Sequence, residues 1–493
     1  MKRTTRSLAL SAAILMALAG CGTRVHQIAE APAAGPTSGV TAGYSSAADP
    51  GGSVAEQPRL ADRPPGAAAL KPTPTTGKSG LSVAPPTSAV SNNPAEAHKV
   101  DTGASETPKS SDSTAKAPSA PGQPALVPGA PITIGTLGTF SGPVGEVEKA
   151  MADGVAVWVK DVNSRGGVNG HLIRHVLADD GADPARHRAM VRDLVERRGV
   201  QAFVYKVEAF AGLTGPDPYI TEHKIPVVGT FLSYDWDYAS PLYFPQASSG
   251  TEFNIASYFG PASQVLLPQG LKKLGTFTCV ESNVCEQAKN TWAKKAAEFG
   301  FELAYQAQVS LGQPDFTAEC LAARNAGVQV VFFGFDDKSA GRVANSCARQ
   351  SFRPAYVHTF QAASPAMLDN PNLDGMLVGS LTFPWPASDS PARRAAHDAF
   401  RRFLPNAELL GTHMVGWVAG KLFEEGEKNL PATFSGQDLL TGLWQIRDND
   451  LGGLTHPLSF YPDRGAQRRT CWSVVAVSKG AFVVPGSTSL RCR

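Results

Sequence analysis

Aromatic side chains, which supply much of a hydrophobic core, are confined almost entirely to the later part of this 493-residue chain. Of its 23 Phe, 10 Tyr and 7 Trp residues, only Tyr44 precedes Pro131. Between residues 22 and 130, 73 of 109 residues are Ala, Pro, Gly, Ser or Thr, and such a segment cannot bury enough apolar surface to offset the entropy of folding. Residues 22–130 are therefore predicted to be a disordered tether, and residues 131–493 are long enough for two separate cores.

The first 21 residues have the pattern of a secretory signal. Basic residues precede an apolar run, residues 8–18, which is too short to span a membrane and has the length of a signal core. The run ends in Leu18-Ala19-Gly20-Cys21, which resembles the lipobox of bacterial lipoproteins, where the cysteine is acylated after cleavage in front of it. The sequence thus predicts export and anchoring to the outer face of the cell membrane through Cys21. Ordinary secretion with a chance cysteine is the alternative.

Six further cysteines lie in the predicted globular part. An even number in an exported chain favours disulfides over free thiols. Sequential pairing is preferred among the connectivities because each bridge then closes a short local unit. A metal site is the alternative, but the chain has no CxxC pair and no HExxH motif, so that no metal is predicted. The six residues are Cys279, Cys285, Cys320, Cys347, Cys471 and Cys492.

Strand and helix patterns alternate after residue 131. Short β-branched runs are followed by apolar residues at helical spacing, such as Met151, Val155 and Trp158. Alternation through two series favours parallel βαβ units and two α/β lobes. The predicted strands are 132–137, 172–177, 201–205 and 225–228 in the first series, and 274–279, 303–309, 328–333 and 356–359 in the second. The predicted helices that follow the first are 185–197, 219–223, 286–299, 316–325 and 339–350.

The chain after Gly375 departs from this alternation. A strand is followed by three consecutive helices, and the end of the chain has turn signals between short apolar runs, which predicts antiparallel strands. The predicted strands are 376–381, 457–461, 471–477 and 482–484, and the predicted helices are 393–403, 413–425 and 437–446.

A group of residues near the start of the globular part matches a known family in order and spacing. They resemble the type I periplasmic binding proteins of the branched-chain amino acid branch, the substrate-binding subunits of ABC transporters. The resemblance covers roughly residues 131–485 and implies an α/β fold of two Rossmann-like lobes with parallel central sheets, joined by a hinge that the chain crosses three times. The matching residues are Ile134-Gly135, Ser141-Gly142-Pro143, Gly154, Trp158, Asn163, Gly166 to Gly170, Asp179-Asp180 and Asp183-Pro184.

The resemblance also implies how the chain is shared between the lobes. The crossings are expected near Pro245, Thr382 and Thr455, so that each lobe contains two separate segments of chain. The predicted segments are 131–246 and 382–454 for the first lobe, and 247–381 and 455–493 for the second.

A ligand is expected at the carboxyl ends of the parallel strands, where loops and helix N-termini converge. In the first lobe Ser141 follows the first strand, and its hydroxyl and the neighbouring amides can receive an anion, although Gly142-Pro143 is also typical of a simple helix entry. Glu208 lies in the loop after the third strand, where the resemblance implies small hydroxyl residues. The next loop carries Phe231 and Tyr234, which either stack on the ligand or close the lobe surface.

Three residues of the second lobe are expected at the same cleft. Glu281, Asp336 and Gln361 each follow a predicted strand, and an acid there can pair with a ligand ammonium. Asp337, just before a helix, is equally typical of a helix cap. The resemblance implies a Tyr-Gly after the first strand of this lobe, whereas this chain has Val284, which disfavours free leucine-like amino acids as the ligand.

The predicted function is capture of a small polar or amphipathic ligand, such as an amino acid or amide, by a monomeric, lipid-anchored, extracytoplasmic protein that delivers it to ABC permease subunits. A ligand-sensing envelope receptor of the same fold is the alternative. The formal net charge of +2 offers no basic surplus for nucleic acid. No cofactor and no enzymatic activity are expected, because a hydrolase needs a nucleophile and Ser141 lies one position late for a GxSxG motif.

Overall fold

The computed structural model describes residues 129–142, 145–207 and 215–493. The predicted signal sequence, Cys21, the tether and Glu208 lie outside these residues. The described chain forms two α/β lobes, each built around its own sheet, which confirms the predicted fold class. None of the helices in this part of the chain is long and apolar enough to cross a membrane.

The first lobe is centred on a five-stranded parallel sheet. Its elements are β1 (Ile132–Gly138), α1 (Gly145–Ser164), β2 (Ile173–Asp179), α2 (Pro184–Glu196), β3 (Ala202–Lys206), α3 (Pro218–His223), β4 (Val227–Val228) and β5 (Tyr243–Phe244). The strands lie in the order β2-β1-β3-β4-β5. Every residue of β1 and β3 is buried, because helices cover both faces of a parallel sheet.

The second lobe repeats this arrangement. Its first elements are α4 (Gly250–Asn254), α5 (Gly260–Val265), β6 (Lys273–Cys279), α6 (Asn283–Lys295), β7 (Glu302–Val309), α7 (Thr317–Asn325), β8 (Val330–Gly334), α8 (Asp337–Arg349), β9 (Ala355–Thr359) and β10 (Leu377–Ser380). The strands run parallel in the order β7-β6-β8-β9-β10. Counted from the hinge side, β9, β8, β6 and β7 therefore correspond to β4, β3, β1 and β2.

The sequence predicts most of these strands and helices to within a few residues but misses the helical stretch that contains α4 and α5. A π-helical turn, Ile255–Phe259, joins the two helices, and all five of its residues are buried. A helix that is buried on every side has no polar face, so its sequence lacks the amphipathic period that marks a helix. Gly260 and Pro261 interrupt the pattern further.

Polar caps begin several of the helices. Asp183 and Ser390 accept hydrogen bonds from backbone amides in the first turns of α2 and of the helix that starts at Pro391. In both cases a proline occupies the first helical turn, where its missing N–H costs nothing. These caps explain why the predicted helix starts lie within about two residues of the observed ones.

Three helices return to the first lobe after the second crossing. They are α9 (Pro391–Phe403), α10 (Gly411–Gly426) and α11 (Gly436–Trp444). Helix α10 packs directly on α1, and glycines make the approach possible: a Cβ atom on Gly416 would lie 1.8 Å from the Met151 carbonyl oxygen, and one on Gly420 would lie 2.3 Å from the Trp158 ring. Close packing of this kind leaves no room for a side chain at either glycine.

Antiparallel strands complete the second sheet. They are β11 (Cys471–Ser478), β12 (Ala481–Val483) and β13 (Arg491–Cys492). Strand β11 pairs with β10, β12 and β13, all in the antiparallel direction, as predicted for the end of the chain. The predicted strand 457–461 is wrong. Leu458 makes only an isolated bridge with Asn449, and the segment is a buried connection in which Ser459 accepts a hydrogen bond from the Asp448 amide.

The hinge consists of three chain segments that are hydrogen-bonded to one another. The Thr455 hydroxyl donates to the Gln246 carbonyl oxygen at 2.7 Å, and the Phe383 amide donates to the Leu454 carbonyl oxygen at 2.9 Å. All three crossings therefore lie side by side, as the three-crossover hinge requires.

Three disulfides join cysteines that are adjacent in sequence order. The pairs are Cys279–Cys285, Cys320–Cys347 and Cys471–Cys492. These are the sequential pairs preferred in the sequence analysis. All three lie in the second lobe, where the last of them ties β13 to β11.

A buried carboxyl group lies where α10 meets α11. Glu427 is fully buried, and neither of its carboxylate oxygens has a hydrogen-bond partner among the described residues. Burial raises the pKa of Glu427 to about 9, and the charge of Asp438 acts in the same direction. At neutral pH the group is therefore protonated.

Replacing Glu427 by Gln is expected to change how stability depends on pH. A carboxyl whose pKa is 4.5 when unfolded and about 9 when folded stabilises the fold fully below pH 4.5, and this contribution is lost as pH rises toward 9. Glutamine has no carboxyl proton to lose, so Glu427→Gln should remove this loss of stability. The free energy of unfolding of the variant minus that of the wild type should therefore increase from pH 5 to pH 9. Urea titrations across this range measure it, with exposed Glu222→Gln as the control. A constant difference between the two curves would contradict the assignment.

Candidate functional site

The carboxyl-terminal edges of the two sheets face each other across the hinge. The side-chain amide of Gln361, just after β9, donates a hydrogen bond to the Phe231 carbonyl oxygen, just after β4, at 3.0 Å. Helix α10 meets the second lobe at the same place, since a Cβ atom on Gly411 would lie 2.9 Å from Phe360. Two of the predicted site residues, Phe231 and Gln361, are thus brought into contact.

The loop after β4, Thr230–Tyr238, presents aromatic side chains at this edge. Tyr234 and Trp236 are stacked, with ring centroids 5.0 Å apart, and Phe231 and Tyr234 are both half-buried. Leu232 lies between them with a φ of 66°, a strained conformation for a branched residue. A hydrogen bond from its amide to the Thr230 hydroxyl holds it there. Strain of this kind, maintained by its surroundings, is common in loops that bind ligands.

Arg468, which precedes β11, ties the aromatic loop to the hinge region. Its guanidinium donates to Asp235 at 2.8 Å and to Glu252 at 3.1 Å, and it lies 4.8 Å from the centre of the Tyr238 ring. Partial burial raises the pKa of Asp235, but the hydrogen bonds from Arg468 and Thr251 outweigh this effect and hold the pKa below its usual value. The ionised pair therefore connects this loop of the first lobe to α4 and to the segment before β11.

Ser141 lies in the exposed loop after β1. Its hydroxyl and the Phe140 amide both donate to Asp179 at the end of β2, the amide at 2.9 Å. Partial burial raises the pKa of Asp179, but these hydrogen bonds outweigh it, so that the pKa lies below its usual value. The Thr139 amide donates to buried Glu148 at 2.6 Å. Two amides and the hydroxyl that were predicted to receive an anion thus already have carboxylate acceptors within the lobe.

Asp179 and Asp180, at the end of β2, hold the loop after β1 in place. Asp180 is fully buried and accepts hydrogen bonds from the Thr139 hydroxyl at 2.7 Å and the Ala182 amide at 2.8 Å. His187 lies 2.8 Å from its second oxygen. Burial raises the pKa of Asp180, and the hydrogen bonds from His187 and Thr139 more than reverse the effect. This network gives Asp180 a structural role in holding the loop after β1.

Glu281 and Asp336 support loops of the second lobe. Exposed Glu281 accepts hydrogen bonds from the Ser310 hydroxyl and the Leu311 amide, both at 2.8 Å. Asp336 is the N-cap of α8 and accepts from the amide and hydroxyl of Ser339, at 2.9 and 2.7 Å. The helix cap is therefore Asp336 and not Asp337, whose place just before the predicted helix is equally typical of a cap.

Two buried basic side chains lie at the same edges, and neither is among the site residues predicted from the sequence. Lys206, at the end of β3, is fully buried. His358, near the end of β9, is also fully buried, and this burial lowers its pKa to about 3. Its Nδ1 accepts a hydrogen bond from the Thr359 amide at 2.9 Å. The imidazole is therefore neutral and supports the turn that leads to Gln361.

No group of three or more His, Cys, Asp or Glu side chains in the described ranges is arranged to hold a metal ion. The site consists of strand-end loops at two facing sheet edges, braced by internal carboxylates and lined in part by aromatic rings. A hinge of three hydrogen-bonded segments joins the two edges. Clefts of this kind, between two hinged lobes, are common binding places for small molecules.

Comparison with known proteins agrees with this geometry. A family model described as periplasmic binding protein matches residues 131–481. The chain belongs to the periplasmic binding protein family. One curated relative of this binding protein is the Leu/Ile/Val-binding protein homolog 6 of Brucella abortus (strain 2308). It is 24% identical over 304 residues, which are 59% of this chain and 73% of the relative.

Solved structures share the fold of this periplasmic binding protein. A branched chain amino acid ABC transporter protein from Thermus thermophilus with bound valine superposes with a TM-score of 0.62 at 16% identity, covering 73% of this chain and 97% of the other. A solute binding protein from R. palustris in complex with benzoate has a TM-score of 0.58 at 15% identity, covering 73% and 96%. At such identities the likeness concerns the fold.

Proposed function

We propose that this periplasmic binding protein captures a small polar or amphipathic ligand between its two lobes and delivers it to the permease of an ABC importer, outside the cytoplasm. The contact that carries the proposal is the hydrogen bond between Gln361 and Phe231, which joins ligand-side loops of both lobes. Relatives named for leucine, isoleucine and valine binding support an importer role, as does the valine-bound structural neighbour.

Ligand capture works through a shift between open and closed arrangements of the lobes. A ligand that contacts both lobes makes its full set of contacts only in the closed form, so it favours closure by the difference in its affinity for the two forms. The movement rearranges hydrogen bonds between the hinge segments, such as those of Thr455 with Gln246 and of Ser473 with Thr382. The permease then distinguishes the closed, loaded form from the open one.

The residues proposed to contact the ligand divide into two groups. Phe231, Tyr234 and Gln361 lie where the two edges meet and supply stacking surface and an amide. Ser141, Glu281 and Asp336 are carboxylate or hydroxyl groups that already hydrogen-bond within their own lobe, so they contact the ligand through their remaining lone pairs. The seventh proposed residue is Glu208.

A thermal-shift screen of the purified full chain tests ligand capture. We expect one class among amino acids, amides, aromatic acids and sugars to raise Tm without being consumed, since saturation at about 100 times Kd adds about 2.7 kcal/mol of stability. Phe231→Ala should weaken binding of the stabilising compound about tenfold through lost stacking and apolar contact. Tyr305→Ala, in the middle of edge strand β7, is the control. Absence of any stabilising compound, or equal affinity of Phe231→Ala, would contradict the proposal.

We also propose that a lipid on Cys21 anchors the protein to the membrane and that residues 22–130 act as its tether. Two or more acyl chains anchor stably, because each buried CH₂ contributes about 0.8 kcal/mol. A flexible chain of that length has a mean span of about 50 to 60 Å. The tether would therefore give the lobes a wide reach from the membrane surface.

Cys21→Ser tests the anchor directly. In a bacterial host grown with labelled palmitate, the wild-type chain should carry label and sediment with membranes, whereas Cys21→Ser should do neither. Cys279→Ser, which removes a disulfide cysteine instead, should retain the label. An unlabelled wild-type chain in the soluble fraction would support ordinary secretion.

A further inference from the structure

Helix α4, which begins the second lobe, is capped by a residue of the first lobe. Its own N-cap residue is Ser249, whose hydroxyl makes no capping hydrogen bond. The Asp235 carboxylate of the aromatic loop takes this place and accepts hydrogen bonds from the Thr251 amide at 3.2 Å and the Thr251 hydroxyl at 3.1 Å. The first amides of a helix need such an acceptor, since they have none within the helix. The cap thus links the two lobes.

The backbone at Gly250 lets the aromatic loop lie directly against the start of this helix. Gly250 has a φ of 59°, in the left-handed region that favours glycine. A Cβ atom there would lie 2.5 Å from Asp235 Oδ1 and 2.6 Å from the Asp235 nitrogen. The Gly250 amide donates to the Leu232 carbonyl oxygen at 3.1 Å. Loop and helix start therefore fit together only without a side chain at position 250.

Arg468 adds charge to this contact. One nitrogen of its guanidinium lies 2.8 Å from the Asp235 carboxylate and 3.1 Å from the Glu252 carboxylate. The other terminal nitrogen donates to the Asp235 carbonyl oxygen at 3.2 Å. Asp235 belongs to the aromatic loop, whereas Glu252 belongs to α4. One guanidinium thus attracts a carboxylate from each lobe, and without it the two negative charges would repel each other.

The helical stretch that starts with α4 is a fixed part of the second lobe. The Tyr258 hydroxyl donates to the Phe333 carbonyl oxygen of β8 at 2.9 Å. A Cβ atom on Gly379 of β10 would lie 2.1 Å from the Ser257 carbonyl oxygen. The aromatic loop, in contrast, connects β4 and β5 of the first sheet. Relative movement of the lobes therefore acts on the bonds that Asp235 makes.

We propose that Asp235, Arg468 and the Gly250 backbone form an interlobe latch that favours the closed arrangement of the clamp. The inference rests on the proposed function and adds a contribution to closure that comes from the protein itself. All hydrogen-bond partners in the latch are protein groups, so it acts with and without a bound ligand. A larger closed population lowers the apparent Kd of any ligand that binds the closed form.

Distance measurements between the lobes test the latch. Spin labels are attached through p-acetylphenylalanine at the positions of Lys160 and Lys294, exposed residues of α1 and α6, in the full chain with its disulfides intact. Double electron–electron resonance without added ligand should show a closed and an open distance. Arg468→Gln should increase the ratio of open to closed molecules about threefold, the effect of a partly exposed ion pair. Arg464→Gln, in the same segment, is the control and should match the wild type.

A second pair of variants disturbs the latch by a steric route. Gly250→Ala places a methyl group against Asp235 and should also increase the ratio of open to closed molecules. Gly270→Ala is the matched control, because Gly270 has a φ of 80° and no heavy atom within 4 Å of the Cβ position. It introduces the same backbone strain without the clash, so its ratio should match the wild type.

Salt distinguishes an ionic latch from a contact that is only structural. Raising NaCl from about 0.1 M to about 1 M shortens the Debye length from about 10 Å to about 3 Å and weakens exposed ion pairs. The open fraction of the wild type should therefore rise with salt. Arg468→Gln, which has already lost the ion pairs, should respond much less.

The outcomes separate the latch from the proposed function. Two distances in the wild type, with the same ratio in Arg468→Gln, would overturn the latch and leave the clamp intact. A single distance that is unchanged in every variant and at both salt concentrations would show that the lobes do not open, which contradicts the clamp and the latch with it.

Discussion

The two-lobed clamp depends on the contact between helices α1 and α10. The helices approach so closely that a Cβ atom on Gly154 would lie 2.2 Å from the His413 carbonyl oxygen. Because α10 packs on α1, the chain lies in the first lobe again after it has formed most of the second. A third crossing is then needed to complete the second sheet. The hinge therefore consists of three chain segments, which restrict the relative motion of the lobes to opening and closing. The start of α10 also reaches the second lobe at Phe360.

The strand-end loops at the cleft are shaped by internal carboxylates before any ligand binds. Asp179 accepts a hydrogen bond from the Ser141 hydroxyl, Glu281 accepts one from the Ser310 hydroxyl, and Asp336 is the N-cap of α8. Such bonds fix the loops in place, which lowers the entropy lost on binding. Because these carboxylates already accept hydrogen bonds within their lobe, charge pairing with the ligand contributes less to the affinity of the site. Apolar contact, through the aromatic loop after β4, then carries more of the selectivity.

Much of the fold follows from local patterns in the sequence. The βαβ alternation, the antiparallel end and the preferred cysteine pairs are all present in the structure, because strand burial and helix caps act over short stretches of chain. The stretch around Ile255 escaped prediction because a fully buried helix has no amphipathic period. Residues 457–461 have the composition of a strand, but tertiary hydrogen bonds hold them as a connection.

The position of a residue just after a predicted strand indicates the candidate ligand loops. It cannot show that Ser141 and Glu281 already have hydrogen-bond partners, since the partners lie 38 and 29 residues away in the sequence.

The most direct measurement is a crystal structure of the full chain with the compound that stabilises it most. The account predicts density for that compound between the lobes, in contact with the aromatic loop around Phe231 on one side and with the loop that carries Gln361 on the other. A compound held by one lobe alone, or bound away from the facing sheet edges, would contradict the account.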